Sequence, residues 1–157
     1  MRMILDVAMQ LLSERPYTER ELGKQLEKIF ADKPNIDNLI QNTLKRLNEL
    51  YLINDYRLAE SIAARYVHKG NRFTIQSLRH RGIDDQVIED VLTQLGDEYP
   101  RALDEARRKS RRLSDEHPEK AKTQVYRFLS GRGFAYETIK AVCQQLSNEG
   151  SFGSAAC

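Results

Sequence analysis

Eleven cationic side chains have the types and spacing that could do chemistry in this chain of 157 residues. The first five lie between Ser61 and Ile83, an interval with Arg65, Lys69, Arg72, Arg79 and Arg81 and no Asp or Glu. A second group sits in Arg107-Arg108-Lys109-Ser110-Arg111-Arg112, where Arg108, Arg111 and Arg112 can share one helical face. Lys122, Arg127 and Arg132 extend the series. Dispersed guanidinium and ammonium groups bind rather than catalyse, so the chemistry they offer is electrostatic attachment to a polyanion or an acidic groove. A bland reading carries equal weight: Lys and Arg near helix carboxyl ends complement the helix dipole and can simply form a solvated basic face.

Catalytic chemistry has little to stand on. The chain contains no Gly-x-x-x-x-Gly-Lys-Ser/Thr loop, dinucleotide glycine fingerprint, His-Glu-x-x-His pair or Gly-x-Ser-x-Gly turn. His68, His80 and His117 lack the spacing that would converge imidazoles on a metal, and read as solvated or capping residues. Cys143 falls on an apolar stripe and reads as a small buried hydrophobe, while Cys157 stands at the chain end, so neither a zinc site nor a disulfide framework is expected. Asp84-Asp85 and Glu89-Asp90 fit dipole-complementing positions in one helix. The seven tyrosines, at 17, 51, 56, 66, 99, 126 and 136, mostly adjoin apolar stripe positions, and core packing is expected of each. The reading is a binding protein with no enzymatic activity, cofactor or metal.

The elements that must carry these residues are helical. Hydrophobic residues make up 40% of the chain and charged ones 31%, with only 8 Gly and 4 Pro to break helices, so an all-α fold with one modest core or a short array is expected. Ile4, Ala8, Leu11 and Leu12 form the first stripe, ended by Pro16. Thr18-Glu19-Arg20-Glu21 spells a capping box ahead of Leu22, Leu26, Ile29 and Phe30, and Ile36, Leu39, Ile40, Leu44 and Leu47 make a third stripe. Asn54 or Asp55 caps a fourth helix, with Gly70 as its stop; Ile75 and Leu78 mark a short fifth, and Asp84 caps a sixth that runs to Gly96. Pro100 suits the first turn of a seventh, and Ser114 to Pro118 reads as the turn before the eighth and ninth.

Leu78-Arg79-His80-Arg81-Gly82-Ile83 through Leu95 aligns without a gap on Leu129-Ser130-Gly131-Arg132-Gly133-Phe134 through Leu146, an offset of 51 that matches Arg81 with Arg132 and Gly82 with Gly133. Three tandem three-helix repeats follow, at 1–53, 54–97 and 98–147, expected to form an elongated, curved array, with 148–157 as a flexible tail. Residues 1–60 hold 9 basic and 10 acidic side chains, so the net charge of +2 arises beyond them. An acidic residue at position 6 and the absence of a long apolar run argue against a signal peptide or membrane span, and two cysteines suit a reducing compartment; a cytoplasmic monomer is expected.

Several strings together resemble one family. Leu50-Tyr51-Leu52-Ile53-Asn54-Asp55-Tyr56-Arg57-Leu58-Ala59 is similar to the Gly-Tyr-Leu-Asp-Asp-x-Arg-Phe-Ala signature of the RecX recombination regulators, with Leu50 in place of the glycine and Leu58 in place of the phenylalanine. His68-Lys69-Gly70-Asn71-Arg72-Phe73-Thr74-Ile75 resembles the family's Lys-Gly-x-x-x-Ile region, and Leu78 to Ile83 its Leu-x-x-x-Gly-Ile string. Lys122 to Phe134 resembles the Lys-x-x-x-Phe-Leu-x-x-Arg-Gly-Phe/Tyr ending. The likeness spans roughly residues 4–146, and its pattern marks Lys69, Lys122 and Arg132 among the eleven cations.

The resemblance implies a regulator that binds the RecA recombinase filament on DNA and restrains its ATPase, strand-exchange and coprotease activities, by blocking filament extension or favouring disassembly. The eleven cations would then give a broad contact to RecA or to single- or double-stranded DNA. The competing class is a non-specific DNA-binding helical module. Sequence-specific readout is not expected, since no single helix combines base-reading side chains with a dimer seam.

Overall fold

A computed structural model describes residues 2–113 and 117–152. These residues form α1 (Arg2–Glu14), α2 (Glu19–Ile29), α3 (Ile36–Glu49), α4 (Asp55–Arg65), α5 (Asn71–His80), α6 (Asp85–Leu95), α7 (Tyr99–Arg111), α8 (Pro118–Gly131) and α9 (Tyr136–Asn148), with no strand among the described residues. The fold is all-α among the described residues, with α1, α2 and α3 packed together and α7, α8 and α9 packed together. The turn expected at Ser114–Pro118 lies mostly outside the described residues. By contact, the chain divides into two compact units, residues 1–61 with 78–91 and residues 62–77 with 92–157.

In the first unit, α1, α2 and α3 bury Ile4, Ala8, Leu22, Leu26, Ile40, Leu44 and Leu47 around one core that Ile53 completes. The capping box is formed as the sequence predicts: the Glu21 amide donates to Thr18 Oγ1 at 3.1 Å, and the Thr18 amide donates to Glu21 Oε1 at 2.9 Å. Thr18 is fully buried, and its hydroxyl also donates to the carbonyl of Arg81 at 2.7 Å. The first helical amide of α2, Glu19, donates to Asp55 Oδ1 at 2.9 Å. Burial raises the Asp55 carboxyl above the ordinary range, helped by the neighbouring charges of Asp84 and Glu21, and the Glu19 amide and Arg20 only partly offset this.

In the second unit, α7, α8 and α9 enclose Ala102, Ala106, Val125, Leu129, Phe134, Ile139, Val142, Cys143 and Leu146. Cys143 is buried there as its stripe position predicts. The segment after α9 corrects one expectation. Phe152, read from its small polar neighbours as part of a flexible tail, is 1% exposed and joins this core, because one ring outweighs the lack of periodicity around it. Residues 153–157, including Cys157, lie outside the described residues.

Gly70 corrects another. Helix α4 ends at Arg65, well before the glycine expected to stop it, and Gly70 instead begins α5: the Thr74 amide donates to its carbonyl at 3.2 Å. Its own amide donates to the Arg132 carbonyl at 2.8 Å. The backbones are so close that a Cβ on Gly70 would stand 2.2 Å from the carbonyl oxygen of Gly133. Gly133 itself holds φ at +89°, a conformation that glycine adopts without penalty. Glu98, also buried, caps two helices at once: Oε1 accepts from the Asn71 amide at 2.9 Å and Oε2 from the Ala135 amide at 2.8 Å.

Candidate functional site

Glu105 organises the strongest electrostatic feature of the second unit. It lies on α7 at the core-facing edge and is 7% exposed, so its carboxylate must be paired. His68 Nδ1 lies 2.9 Å from Oε2, Arg108 Nη1 donates to Oε2 at 3.4 Å, and Arg132 Nη1 approaches Oε1 at 3.6 Å. The helical repeat places Arg108, Lys109 and Arg112 on the same side of α7 as Glu105, at steps of three, four and seven residues. Arg132, the C-cap of α8, reaches in from the opposite wall. Between them Phe128 forms an aromatic floor: the Arg132 guanidinium lies 4.6 Å and the Lys109 ammonium 5.4 Å from its ring centre.

The result is a cleft of about 240 Å³ lined by these groups together with His68. Four permanent cations face one carboxylate, so the cleft keeps a positive excess after its internal pairing. Low-dielectric walls focus such a field, and the outer guanidinium groups present forks that match a phosphate or carboxylate. Among the described residues, no three His, Cys, Asp or Glu side chains are grouped as a metal ion would require.

The eleven cations read from the sequence separate in the structure. Arg108, Arg112 and Arg132 meet in the cleft, while Arg111 is exposed at the end of α7. Lys122 and Arg127 line a different groove, between α8 and α9. Arg72 donates to the Ser130 carbonyl at 3.2 Å, Lys69 stacks its ammonium 4.8 Å from the Phe73 ring, and Arg65 is exposed at the end of α4. In the first unit Arg79 pairs with Asp85 at 2.9 Å.

Arg81 is committed to the fold. Its Nη2 and Nε donate to the two Glu21 oxygens at 2.9 and 3.1 Å, and Nη2 also reaches the Pro16 carbonyl. For Glu21, burial pushes the carboxyl upward, but hydrogen bonds from Arg81 and Thr18 and the charges of Arg81 and Arg15 outweigh it and hold the group below its ordinary range. The consecutive basic run on α7 is likewise divided, because Arg107 turns away to pair with Glu149.

Sequence reasoning missed His68, Glu105, Lys109 and Phe128, whose partners lie 3 to 37 residues away. It also expected every tyrosine to pack inside. Tyr17 is buried and Tyr99 packs against the core, but Tyr51, Tyr126 and Tyr136 are 82%, 39% and 61% exposed. Tyr126 and Tyr136 occupy the solvent side of α8 and α9, whereas Tyr51 stands outside any helix, in the turn after α3 with φ at +58° between the exposed Leu50 and Leu52.

Comparison with known proteins places this architecture. A family model described as RecX, third three-helix domain, matches residues 97–143, the stretch that carries the cationic cleft's α7 and α8 walls. The regulatory protein RecX of Chlorobaculum tepidum is 30% identical over 94% of this chain and 90% of its own length. That of Chromobacterium violaceum is 35% identical over 86% and 85%. The chain belongs to the RecX family. The crystal structure of RecX from Lactobacillus salivarius superposes with a TM-score of 0.80 at 25% identity, covering 94% of this chain and 96% of that one. As a RecX protein the chain has a regulatory role, and its described helices are the scaffold for it. None of them is long and apolar enough to cross a membrane.

Proposed function

We propose that this RecX protein binds RecA filaments on DNA and lowers their ATPase, strand-exchange and coprotease activities, by blocking extension or promoting disassembly. It would thereby moderate recombinational repair and the SOS response. Family membership supports a regulatory partner, and the cationic cleft of the second unit is the observation that carries the contact. Arg108, Lys109, Arg112 and Arg132 surround one buried carboxylate and leave a concave positive surface suited to acidic side chains or phosphates. Arg111, Lys122, Arg127, Arg72, Lys69 and Arg65 widen the contact, whereas Arg79 and Arg81 serve their own carboxylates. In this reading the protein is a cytoplasmic monomer built from repeats at 1–53, 54–97 and 98–147, and it catalyses no reaction.

The test follows ATP hydrolysis by preformed RecA filaments on single-stranded DNA, with DNA in excess and filament mass monitored in parallel. Inhibition at amounts well below the recombinase, with loss of filament mass, is the expected outcome. Arg108→Glu, Arg111→Glu and Arg112→Glu together should abolish it. Unchanged hydrolysis at matched concentrations would sink the reading and leave a DNA-binding helical module in its place.

A further inference from the structure

The groove between α8 and α9 has a composition that the cleft does not. It encloses about 590 Å³ and opens onto solvent. From α8 it takes Lys122 and Tyr126, and from α9 Tyr136 and Lys140, each pair four residues apart and so on one face of its helix. The two tyrosines meet edge to face across the groove, with ring centres 6.3 Å apart and planes at 71°. An exposed aromatic pair of this kind makes a corner with one ring face turned to each side. Four residues, about 6 Å of helix rise, separate each tyrosine from a lysine on its own helix. Arg127 adds a third cation, and Glu119 is the one carboxylate in the lining.

We infer that this groove is a binding site for single-stranded nucleic acid, with bases stacked on Tyr126 and Tyr136 and phosphates held by Lys122, Arg127 and Lys140. Base stacking on aromatic rings beside a cationic track is how sequence-tolerant single-strand sites work. An acidic peptide fits less well. Its apolar anchors need aliphatic walls, and apart from the buried Cys143 the groove offers only ring faces and polar or charged side chains. Thr123 and Gln144 provide neutral hydrogen-bonding groups that any base edge can use. The site requires no recombinase, so its fate is separate from that of the filament reading.

The experiment measures fluorescence anisotropy of labelled oligo-dT with the full chain alone, beside an abasic strand of equal phosphate count and a poly-glutamate peptide. To silence the cleft, the same set is run in an Arg108→Glu, Arg112→Glu background. Oligo-dT should bind about five-fold or more tighter than the abasic strand, the lower bound for one stacked base. Tyr136→Ala should remove that advantage without affecting the abasic strand, and Tyr136→Phe should restore it. Lys140→Ala should weaken both strands and reduce the slope of log K against log salt by about 0.7. Circular dichroism checks that these exposed-site variants stay folded. Equal affinity for oligo-dT and the abasic strand would overturn the stacking site, as would poly-glutamate binding that depends on Tyr136, or no binding at all.

Discussion

Replacing Gly70 by alanine adds one methyl group where the structure has no room for it. The new carbon would lie 2.2 Å from the Gly133 oxygen and 2.3 Å from both the Gly133 carbonyl carbon and the Phe134 nitrogen, all backbone atoms that no rotamer change can move. Ordinary contact begins near 3.4 Å, so the two backbones must part by roughly an ångström. That displacement stretches the 2.8 Å bond from the Gly70 amide to the Arg132 carbonyl beyond hydrogen-bond range. A buried amide left without its acceptor costs about 1–3 kcal/mol. Overpacking adds about 1–3 kcal/mol. Reduced freedom of the unfolded chain returns about 0.4–1 kcal/mol. A net loss of about 2–4 kcal/mol should lower the melting temperature by roughly 5–15 °C in a chain of this size.

Gly131→Ala is the control, because the same methyl group there meets nothing within 4 Å and the residue closes α8. It should hold or raise the melting temperature by about 1–3 °C. Thermal melts followed at 222 nm compare the two directly. A Gly70→Ala protein melting within about 2 °C of the parent would refute the close approach, and a matching loss in Gly131→Ala would show that glycine matters for some other reason.

Two further predictions concern the carboxylates that hold arginines. Glu105→Gln should lower stability only modestly, by about 1 kcal/mol, since Arg108, Arg132 and His68 are exposed enough to turn to water, and it should tighten heparin binding by about five-fold; weaker binding would show that Glu105 positions the cations rather than diluting their charge. Because the Glu21 carboxyl is held below its ordinary value of 4.5 in the fold, its pairing stabilises the protein above that pH and is lost as pH falls through the lower folded value. Arg81→Met should therefore destabilise at neutral pH and flatten the acid limb of a melting-temperature profile while leaving partner affinity unchanged. Profiles that stay parallel would remove Arg81 from this role.

Most of the helical grammar was legible because it is local. Thr18 and Glu21 spell their capping box in four letters, Pro16 stops α1, and the apolar stripes of α1 to α3 repeat at the period that a helix imposes. The basic run on α7 was legible as charge but not as a site. Arg108 meets Glu105 only three residues away, but the turn of Arg107 to Glu149 and the wall that Phe128 and Arg132 add to the cleft come from parts of the chain distant in sequence. Tyr126 and Tyr136 were misread for a related reason: adjacency to a stripe does not reveal on which side of the helix a ring emerges. Gly70 looked like a helix stop because the pattern after Arg65 fades, and its actual constraint comes from a backbone 63 residues away.

The repeated Arg-Gly string acquires a physical meaning from the two places where it docks. In the first unit the Arg81 carbonyl accepts from the Thr18 hydroxyl, and in the second the Arg132 carbonyl accepts from the Gly70 amide. Both donors stand immediately before the first residue of a helix, α2 in one case and α5 in the other. The next amide in each helix donates to an acidic side chain, Asp55 or Glu98. One docking rule thus operates twice with different donors. A threonine reaches the carbonyl with its side chain, so the backbone can stand off and the residue can carry a Cβ. An amide must bring the backbone itself to 2.8 Å, which leaves no space for one. Gly70 is required because the donor at that position is the chain and not a side chain. A threonine placed there cannot substitute for it, since its hydroxyl would arrive together with the carbon that the Gly133 carbonyl excludes.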